Sequence, residues 1–259
     1  MQGAALHALR LDALYAPFRV PRRDLAPMLR AFMLAGVEGL NVTVPLKEAV
    51  LSLLDRLDPT AEAIGAVNTI VVRRRRLMGY NTDGAGFARA LRELGWRVRP
   101  ARAVILGAGG AARAVAWELA RSPGTRLMIA NRHVARAQRL ARWLTRRRRG
   151  IDARAVALDA VTLDDVQLLV NATTVGMRAS DGVPVSLRTL RPGTLVYDLV
   201  SHRETALVKA ARRQGALAAG GVTMLLYQGA ESFRLWWRRP PPIEPMRRAL
   251  MQQIRRRQE

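Results

Sequence analysis

Lysine is rare in this chain, and one lysine stands where it could transfer a proton. The sequence holds 43 lysines and arginines, of which only Lys47 and Lys209 are lysines. A guanidinium stays charged at any accessible pH, whereas an amine can release a proton. Because arginine fills the other cationic positions, Lys47 is a candidate for acid–base chemistry. Two lysines left by chance would explain the count equally well.

Polar side chains cluster at three places where predicted strands end. They lie within residues 41–47 (NVTVPLK), 65–69 (GAVNT) and 79–84 (GYNTDG). Open α/β sheets build their binding and catalytic sites at strand ends. The three segments are therefore candidates for a site that includes Lys47.

A glycine-rich turn joins a predicted buried strand to a predicted helix within residues 103–112 (AVILGAGGAA). Gly107 permits the tight turn, Gly109 lets the backbone approach a pyrophosphate, and Ala112 allows helix and strand to pack closely. The helix N-terminus then offers free N–H groups to phosphates. The pattern predicts a dinucleotide site, although a purely structural turn would look similar. The residues predicted to bind the cofactor here are Gly107, Ala108, Gly109, Gly110 and Ala111.

The next predicted strand favours NADP over NAD. Sites that prefer NAD usually carry an acidic residue near the end of this strand. Here the strand is followed by Asn131, Arg132 and His133, with Arg136 one turn later. Arg132 can stack on adenine and meet a 2′-phosphate, and Arg136 can add a second charge. The abundance of arginine in this chain weakens the argument.

Strand and helix patterns alternate along the chain, which predicts an α/β fold with sheets covered by helices. The predicted strands cover residues 13–20, 39–44, 65–72, 77–80, 103–106, 127–130, 153–158, 166–171 and 194–199. The predicted helices cover residues 1–11, 25–35, 46–54, 83–94, 111–121, 134–145, 205–214 and 225–237, and a basic C-terminal helix follows the prolines at 240–242. The series of strands and helices from residue 103 onward is typical of a parallel sheet.

Composition excludes several kinds of site. Cysteine is absent, which excludes disulfides, thiolate catalysis and cysteine-ligated metals. The three histidines lie far apart in sequence, so we expect no metal site. We also expect a cytoplasmic protein with no membrane partner, because no apolar run is long enough for a bilayer and the N-terminus lacks a signal-peptide pattern.

The net charge of +23 raises the question of nucleic acid binding. Arginine runs occur at residues 73–76, 146–149 and 255–257, and a basic surface can hold nucleic acid non-specifically. No aromatic residues interleave with these runs in the sequence, as a single-strand-binding surface would require. A general bias toward arginine is therefore favoured, and RNA binding is kept as an alternative.

Several ordered motifs together resemble the shikimate dehydrogenase family. The motifs are NVTVPLK (41–47), GAVNT (65–69), GYNTDG (79–84), GAGGA (107–111), NR (131–132), VNATTVGM (170–177), GVTM (221–224) and QGA (228–230). The resemblance runs from about residue 5 to residue 237. Many motifs in the family's order are far more specific than the glycine turn alone.

The resemblance implies a two-domain enzyme. A substrate-binding catalytic domain with a mixed sheet would span residues 1–83, completed by about 222–259. A Rossmann-type NADP-binding domain would span residues 84–221. The implied reaction is the reversible, NADP-dependent reduction of 3-dehydroshikimate to shikimate, which belongs to chorismate and aromatic amino acid biosynthesis. A homodimer is a further possibility.

The resemblance also assigns the catalytic pair. Lys47 would be the acid/base, and Asp83 would be its partner on the same reacting oxygen. Hydride transfer to a ketone leaves negative charge on oxygen, which a neighbouring ammonium stabilises and protonates. A structural salt bridge is the alternative for this pair.

Further roles follow from the same resemblance. Thr43 and Asn68 would hydrogen-bond the substrate, and Gln228 would close over it. Leu199 and Gly221 would line the nicotinamide pocket. Capping of strand ends is the alternative for Thr43 and Asn68.

The sequence departs from the family pattern in two places. Family members begin with a strand and a Ser-x-Ser-Pro loop that holds the substrate carboxylate, whereas residues 1–6 align with the helix after that loop; we favour a start farther upstream. Ser201 stands where the family usually has a substrate-binding tyrosine. Serine is shorter and cannot reach equally far, so a change in substrate affinity or substrate choice is expected. His202 or Arg203 could compensate by meeting the carboxylate.

Two other functions stay open. The chain could be a quinate/shikimate-type dehydrogenase with another substrate, or a diverged, non-catalytic NADP-binding paralogue. The presence of Lys47, Asp83 and Gln228 argues against a non-catalytic protein. The missing serines argue for it.

Overall fold

The chain folds as two units, each with its own β-sheet. The computed structural model describes residues 1–97 and 99–256. Unit 1 comprises Met1–Gly86 and Leu226–Gln253, and unit 2 includes Phe87–Leu225. The predicted α/β class is confirmed, and C-terminal helices are part of unit 1.

Unit 1 contains a mixed four-stranded sheet. Its strands are β1 (Gly39–Asn41), β2 (Arg56–Leu57), β3 (Thr69–Arg73) and β4 (Arg76–Tyr80), in the spatial order β1-β3-β4-β2. Strand β3 is antiparallel to β1 and β4, and β2 is parallel to β4. The sheet brings the ends of β1 and β4 next to the start of β3, where the polar segments of the sequence lie.

Apolar side chains hold the helices of unit 1 against this sheet. The helices are α1 (Gln2–Ala8), α2 (Leu25–Leu34), α3 (Pro59–Ile64), α8 (Val222–Trp237), which reaches into unit 1, and α9 (Ile243–Arg256). Leu25 and Leu29 of α2 share a buried cluster with Ile70 and Val72 of β3. Trp236 of α8 donates its indole N–H to the carbonyl of Ile70 at 2.9 Å.

Unit 2 contains a six-stranded parallel sheet. Its strands are β5 (Arg102–Leu106), β6 (Arg126–Ala130), β7 (Asp152–Val156), β8 (Leu168–Asn171), β9 (Leu195–Asp198) and β10 (Leu217–Ala219), in the order β10-β9-β8-β5-β6-β7. The helices of this part are α4 (Asp83–Glu93), which begins in unit 1, α5 (Gly110–Leu119), α6 (Val134–Arg147) and α7 (Ala206–Arg213). The chain order reverses between β5 and β8, and open parallel sheets bind ligands at such a reversal.

The strand predicted at residues 13–20 is wrong. This segment contains no helix or strand, and Leu14 and Phe18 are 89% and 61% exposed. An apolar, β-prone sequence becomes a strand only where a neighbouring strand takes its backbone hydrogen bonds. No described strand pairs with this segment.

The helix predicted at residues 46–54 is also wrong. The segment forms turns and a short 3₁₀ helix at Leu51–Leu53. The carbonyl of Lys47 accepts from the N–H of Val67 at 2.9 Å, and Leu51 N–H bonds back only three residues, to Glu48. The regular i to i−4 ladder is therefore interrupted at Lys47, because that carbonyl ties the loop to the segment before β3.

One α-helix and two strands of the described chain have no counterpart in the sequence prediction. They are α3 and the short strands β2 and β10. The start of α3 did carry a signal, since the side chain of Asp58 accepts from Thr60 N–H and Pro59 occupies the first helical position. Within the described part of the chain, no helix is long and apolar enough to cross a membrane.

Candidate active site

A salt bridge between Lys47 and Asp83 lies at the centre of the polar cluster in unit 1. The Nζ of Lys47 is 2.5 Å from Oδ2 of Asp83, and the side chains are 17% and 6% exposed. Asp83 is the first residue of α4, where a carboxylate is favoured by the helix dipole. Its N–H is bonded to the Asn81 side chain at 3.1 Å. This bond anchors the backbone at Asp83, and the Lys47 ammonium keeps limited access to solvent.

Asn68 fixes the other oxygen of Asp83. Its side-chain amide donates to Oδ1 of Asp83 at 2.7 Å and lies 2.9 Å from the Thr82 hydroxyl. The Oδ1 of Asn68 accepts from the N–H of Thr82 at 2.9 Å. Asn68 is 2% exposed, so a buried amide joins the residue before β3 to the start of α4.

Helix α8 completes this network from its middle turns. The Oε1 of Gln228 lies 3.2 Å from Nδ2 of Asn68, and the Gln228 carbonyl accepts from the Thr82 hydroxyl at 3.0 Å. Ser232 is fully buried, with its hydroxyl 2.7 Å from that of Thr69. Lys47, Asp83, Asn68 and Gln228 thus come together around one point.

Sequence reasoning missed the supporting hydroxyls. Thr69 and Thr82 lie inside the motifs but had no predicted role, and Ser232 had none either. A signal was present for Ser232, because it stands four residues after Gln228 and so shares its helix face. Thr43 is not part of the network. It is exposed, and its side chain makes no hydrogen bond among the described residues.

The glycine turn of unit 2 has the geometry of a phosphate-binding loop. Gly107 has φ +107°, and a Cβ there would lie 2.8 Å from the carbonyl oxygen of Ala172. Gly109 is the N-cap of α5, and a Cβ there would meet nothing within 4 Å. Open space therefore faces the N-terminus of α5, where Gly110 and Ala111 offer N–H groups without helical partners. A dinucleotide pyrophosphate fits this loop.

The end of β6 presents cations to that region of unit 2. Asn131 donates its amide to the carbonyl of His133 at 3.0 Å, which shapes the turn before α6. Arg132 and Arg136 are exposed. Neither forms an ion pair with an acid within residues 1–97 and 99–256, so both guanidiniums can meet a phosphate.

The remaining predicted cofactor residues lie after β9 and β10. Leu199 donates its N–H to the carbonyl of Asn171 at 2.9 Å. A Cβ on Gly221 would lie 2.3 Å from the Leu199 carbonyl oxygen, so only glycine allows this approach of the two segments. Ser201 is partly exposed in the same loop and belongs to unit 2, whereas Lys47 belongs to unit 1.

A buried carboxylate below this loop was not foreseen. Asp198 is fully buried and accepts from Asn171, from the Val200 N–H and from the Thr205 hydroxyl, at 3.0, 3.0 and 2.7 Å. Burial raises the pKa of Asp198, although these hydrogen bonds act in the opposite direction. Asp198 and Asn171 end adjacent strands, and their network orders the loop that carries Leu199 and Ser201.

Comparison with known proteins agrees with this arrangement of motifs. Residues 1–70 match the shikimate dehydrogenase substrate binding domain, residues 89–175 match shikimate / quinate 5-dehydrogenase, and residues 221–251 match the shikimate 5′-dehydrogenase C-terminal domain. A shikimate dehydrogenase (NADP(+)) of Methanopyrus kandleri is 44% identical over 98% of this chain and 90% of its own length.

Two solved structures illustrate the likeness of fold. Shikimate 5-dehydrogenase from Thermus thermophilus, in complex with NADP(H) and shikimate, is 36% identical with a TM-score of 0.86, over 97% of this chain and 92% of its own. Quinate dehydrogenase from Corynebacterium glutamicum, in complex with NAD, is 34% identical with a TM-score of 0.80, over 88% of this chain and 83% of its own. This chain belongs to the shikimate dehydrogenase family.

Proposed function

We propose that this protein is an NADP-dependent shikimate dehydrogenase, which reversibly reduces 3-dehydroshikimate to shikimate in aromatic amino acid biosynthesis. The observation that carries the proposal is the Lys47–Asp83 pair, whose atoms lie 2.5 Å apart in unit 1 and which Asn68 fixes. A buried carboxylate that orients an ammonium suits a reaction in which a ketone oxygen gains negative charge. Family membership makes this oxidoreductase chemistry the expected use of the pair.

In the proposed mechanism Lys47 handles the proton. When bound, NADPH would supply the hydride for the ketone. The Lys47 ammonium stabilises the charge on the reacting oxygen and gives it a proton, and the neutral amine takes that proton back in the reverse direction. Asp83 holds the amine in place and accepts a hydrogen bond from the product hydroxyl.

The neighbouring amides are proposed to bind substrate hydroxyls. Asn68 and Gln228 lie beside the Lys47–Asp83 pair and carry both donors and acceptors. Thr43 and Ser201 are proposed to make further contacts with the substrate. Unit 1 would serve as the substrate domain, predicted as residues 1–83 with 222–259.

Unit 2 is proposed to bind NADP, as predicted for residues 84–221. The turn from Gly107 to Ala111, with Ala108, Gly109 and Gly110 between them, would hold the pyrophosphate at the N-terminus of α5. Asn131, Arg132 and Arg136 would contact the adenosine 2′-phosphate. Leu199 and Gly221 would line the nicotinamide pocket.

A quinate-type activity is the second candidate. Ser201 favours it, because a serine leaves more room and reaches less far than the tyrosine usual in the family. A substrate with an additional hydroxyl could use that room.

Steady-state assays of NADP⁺ and NAD⁺ reduction test both candidates. Shikimate and quinate are each supplied over a range of concentrations, and kcat/KM is compared among the four pairs. We expect the highest kcat/KM for shikimate with NADP⁺. A higher value for quinate would establish the second candidate, and no turnover with either acid would overturn the proposed activity.

We also propose a cytoplasmic location and a homodimeric state. A cytoplasmic location suits a biosynthetic enzyme that draws on NADPH. A homodimer is proposed from the family resemblance, and light scattering of the purified chain measures its mass directly.

A further inference from the structure

A cavity lies in unit 1, and the side chains that line it take no part in the Lys47 network. Its volume is about 620 Å³, within the range of about 300–1,000 Å³ typical of small-molecule pockets. Strands β3 and β4, the end of α8 and the turn after α8 form its walls. Pro240 and Pro241 belong to that turn.

The floor of the cavity is mainly apolar. Val71 and Met78 stand opposite each other on β3 and β4, and Tyr80 lies two residues farther along the same face. Leu235 faces them from α8. Such a surface binds an apolar ring well, and it offers little to a small hydrated ion.

The rim of the cavity is cationic. Its lining includes four arginines and no acid. Arg73 is neutralised by Glu38 at 2.6 Å, and Arg234 by Glu231 at 2.5 Å. Arg238 and Arg239 are exposed and form no ion pair with an acid in the described parts of the chain. Two guanidiniums at one edge are thus available for an anionic ligand.

We propose that this cavity binds a small amphipathic dianion, namely a flat apolar ring that carries a phosphate monoester. The ring would lie on Met78 and Tyr80, and the phosphate would meet Arg238 and Arg239. A phosphate monoester carries a charge of about −1.5 to −2 at pH 7, which matches two unpaired guanidiniums. Arginine binds such groups through two parallel N–H donors, so the head group is recognised by geometry as well as charge.

Calorimetric titration with phenyl phosphate tests the proposal, because this probe combines one ring and one phosphate monoester. Inorganic phosphate is the head-only control, and phenol is the ring-only control. Saturating NADPH is included so that the phosphate loop of unit 2 does not compete for the probe. We expect one site per chain, with phenyl phosphate bound at least tenfold more tightly than either control.

Two variants assign the binding to the cavity. R238Q combined with R239Q removes both free guanidiniums, and we expect a loss of affinity on the order of 10- to 100-fold, as for charged hydrogen bonds. M78E places a carboxylate in the floor and should abolish binding. R19Q combined with R22Q removes the same charge from exposed positions of unit 1 away from the cavity and should leave the affinity unchanged.

The outcomes separate this site from non-specific charge. Equal binding of inorganic phosphate, equal losses in the two double variants, or no binding of phenyl phosphate at millimolar concentration would each overturn the proposal. Shikimate turnover of R238Q/R239Q, measured in parallel, should equal that of the unchanged chain. The binding result stands whether or not the proposed dehydrogenase activity is found.

Discussion

Position 47 is a lysine in a chain whose other cationic residues are almost all arginine. The Lys47–Asp83 contact at 2.5 Å would suit either residue type as a salt bridge. Only an amine can also release a proton. The two uses of the pair can therefore be separated by substitution.

We predict that Lys47→Ala lowers kcat by about 10²- to 10⁴-fold, the range typical of lost acid–base catalysis. NADPH affinity, measured by fluorescence titration, should stay unchanged, because the predicted cofactor residues lie in unit 2. Lys209→Ala is the matched control, since it removes the only other lysine, an exposed residue of α7.

Lys47→Arg distinguishes proton transfer from charge. We expect it to be nearly as inactive as the alanine variant, because a guanidinium keeps its proton. Full activity of the arginine variant would assign Lys47 a purely electrostatic or structural part.

Arg132 is the residue on which cofactor choice depends most directly. We predict that Arg132→Ala raises KM for NADP⁺ by about tenfold or more and leaves KM for NAD⁺ nearly unchanged, because NAD⁺ lacks the 2′-phosphate. Arg139→Ala removes an exposed arginine of α6 that has no predicted part in cofactor binding and serves as the control. An unaltered ratio of the two KM values in Arg132→Ala would remove this residue from the phosphate site.

Among the elements, the glycine turn before α5 separates backbone geometry from cofactor contact. Gly107 has φ +107°, and a Cβ there would lie 2.8 Å from the Ala172 carbonyl oxygen. Gly109 has φ −88°, and a Cβ there would meet nothing within 4 Å. We predict that Gly107→Ala lowers the free energy of unfolding by about 1–3 kcal/mol, the cost of backbone strain. Gly109→Ala should leave it almost unchanged, since alanine fits this backbone conformation.

For NADPH affinity the order of the two variants should be reversed, with the larger effect at Gly109. A methyl group at Gly109 enters the space proposed for the pyrophosphate, so NADPH affinity should fall at least tenfold in a chain of normal stability. Urea denaturation and NADPH titration measure the two quantities. Normal NADPH affinity of Gly109→Ala would contradict the placement of the pyrophosphate.

Sequence alone predicted the elements that depend on local pattern. The β5–turn–α5 unit follows from a short apolar run, glycines and a helical period, and its observed bounds differ from the prediction by one or two residues. The start of β6 differs from the prediction by one residue and the end of α6 by two, and the start of α6 coincides with the prediction. Parallel sheets have buried strands with continuous apolar runs, which makes such strands legible in the sequence.

The wrong predictions concern segments whose conformation depends on distant partners. Residues 13–20 read as a strand, but no described strand pairs with them. Residues 46–54 read as a helix, but Val67 takes the carbonyl of Lys47. Neither fact is visible within a short window of sequence.

The candidate site shows the same division. Lys47, Asn68 and Asp83 stand in recognisable motifs, and the structure brings them into one network with Gln228. Ser232 lies 163 positions from Thr69, to which its hydroxyl is hydrogen-bonded, and Asp198 is joined to Asn171 across two strands. Such contacts depend on the tertiary fold, so motif spacing could not predict them.

Two arginines of the run at residues 146–149 contact tryptophan rings. Arg148 lies 3.7 Å from the ring centre of Trp117 on α5, and Arg147 lies 5.8 Å from that of Trp143 on α6. Both aromatic partners lie outside the run in the sequence, and the fold brings Trp117 to Arg148. The Arg148–Trp117 contact joins the end of α6 to α5, whereas the Arg147–Trp143 contact lies within α6.

For the whole molecule, the net charge of +23 sets up a field that attracts anions. NADPH carries more negative charge than NADH, because its 2′-phosphate adds up to two charges. The field should therefore accelerate the association of NADPH more than that of NADH. Salt screens this attraction over about 10 Å at 0.1 M ionic strength.

We predict that the association rate constant of NADPH falls about tenfold or more when the salt concentration rises from about 20 mM to about 500 mM, within the range known for electrostatic steering. Stopped-flow fluorescence measures this rate constant, and NADH is the matched control, with a clearly shallower dependence on salt. The dissociation rate constant should change less, because contacts inside the bound complex are screened less than long-range attraction. Equal salt dependence of the two association rate constants would contradict the prediction. The excess positive charge would then not favour the association of NADPH over that of NADH.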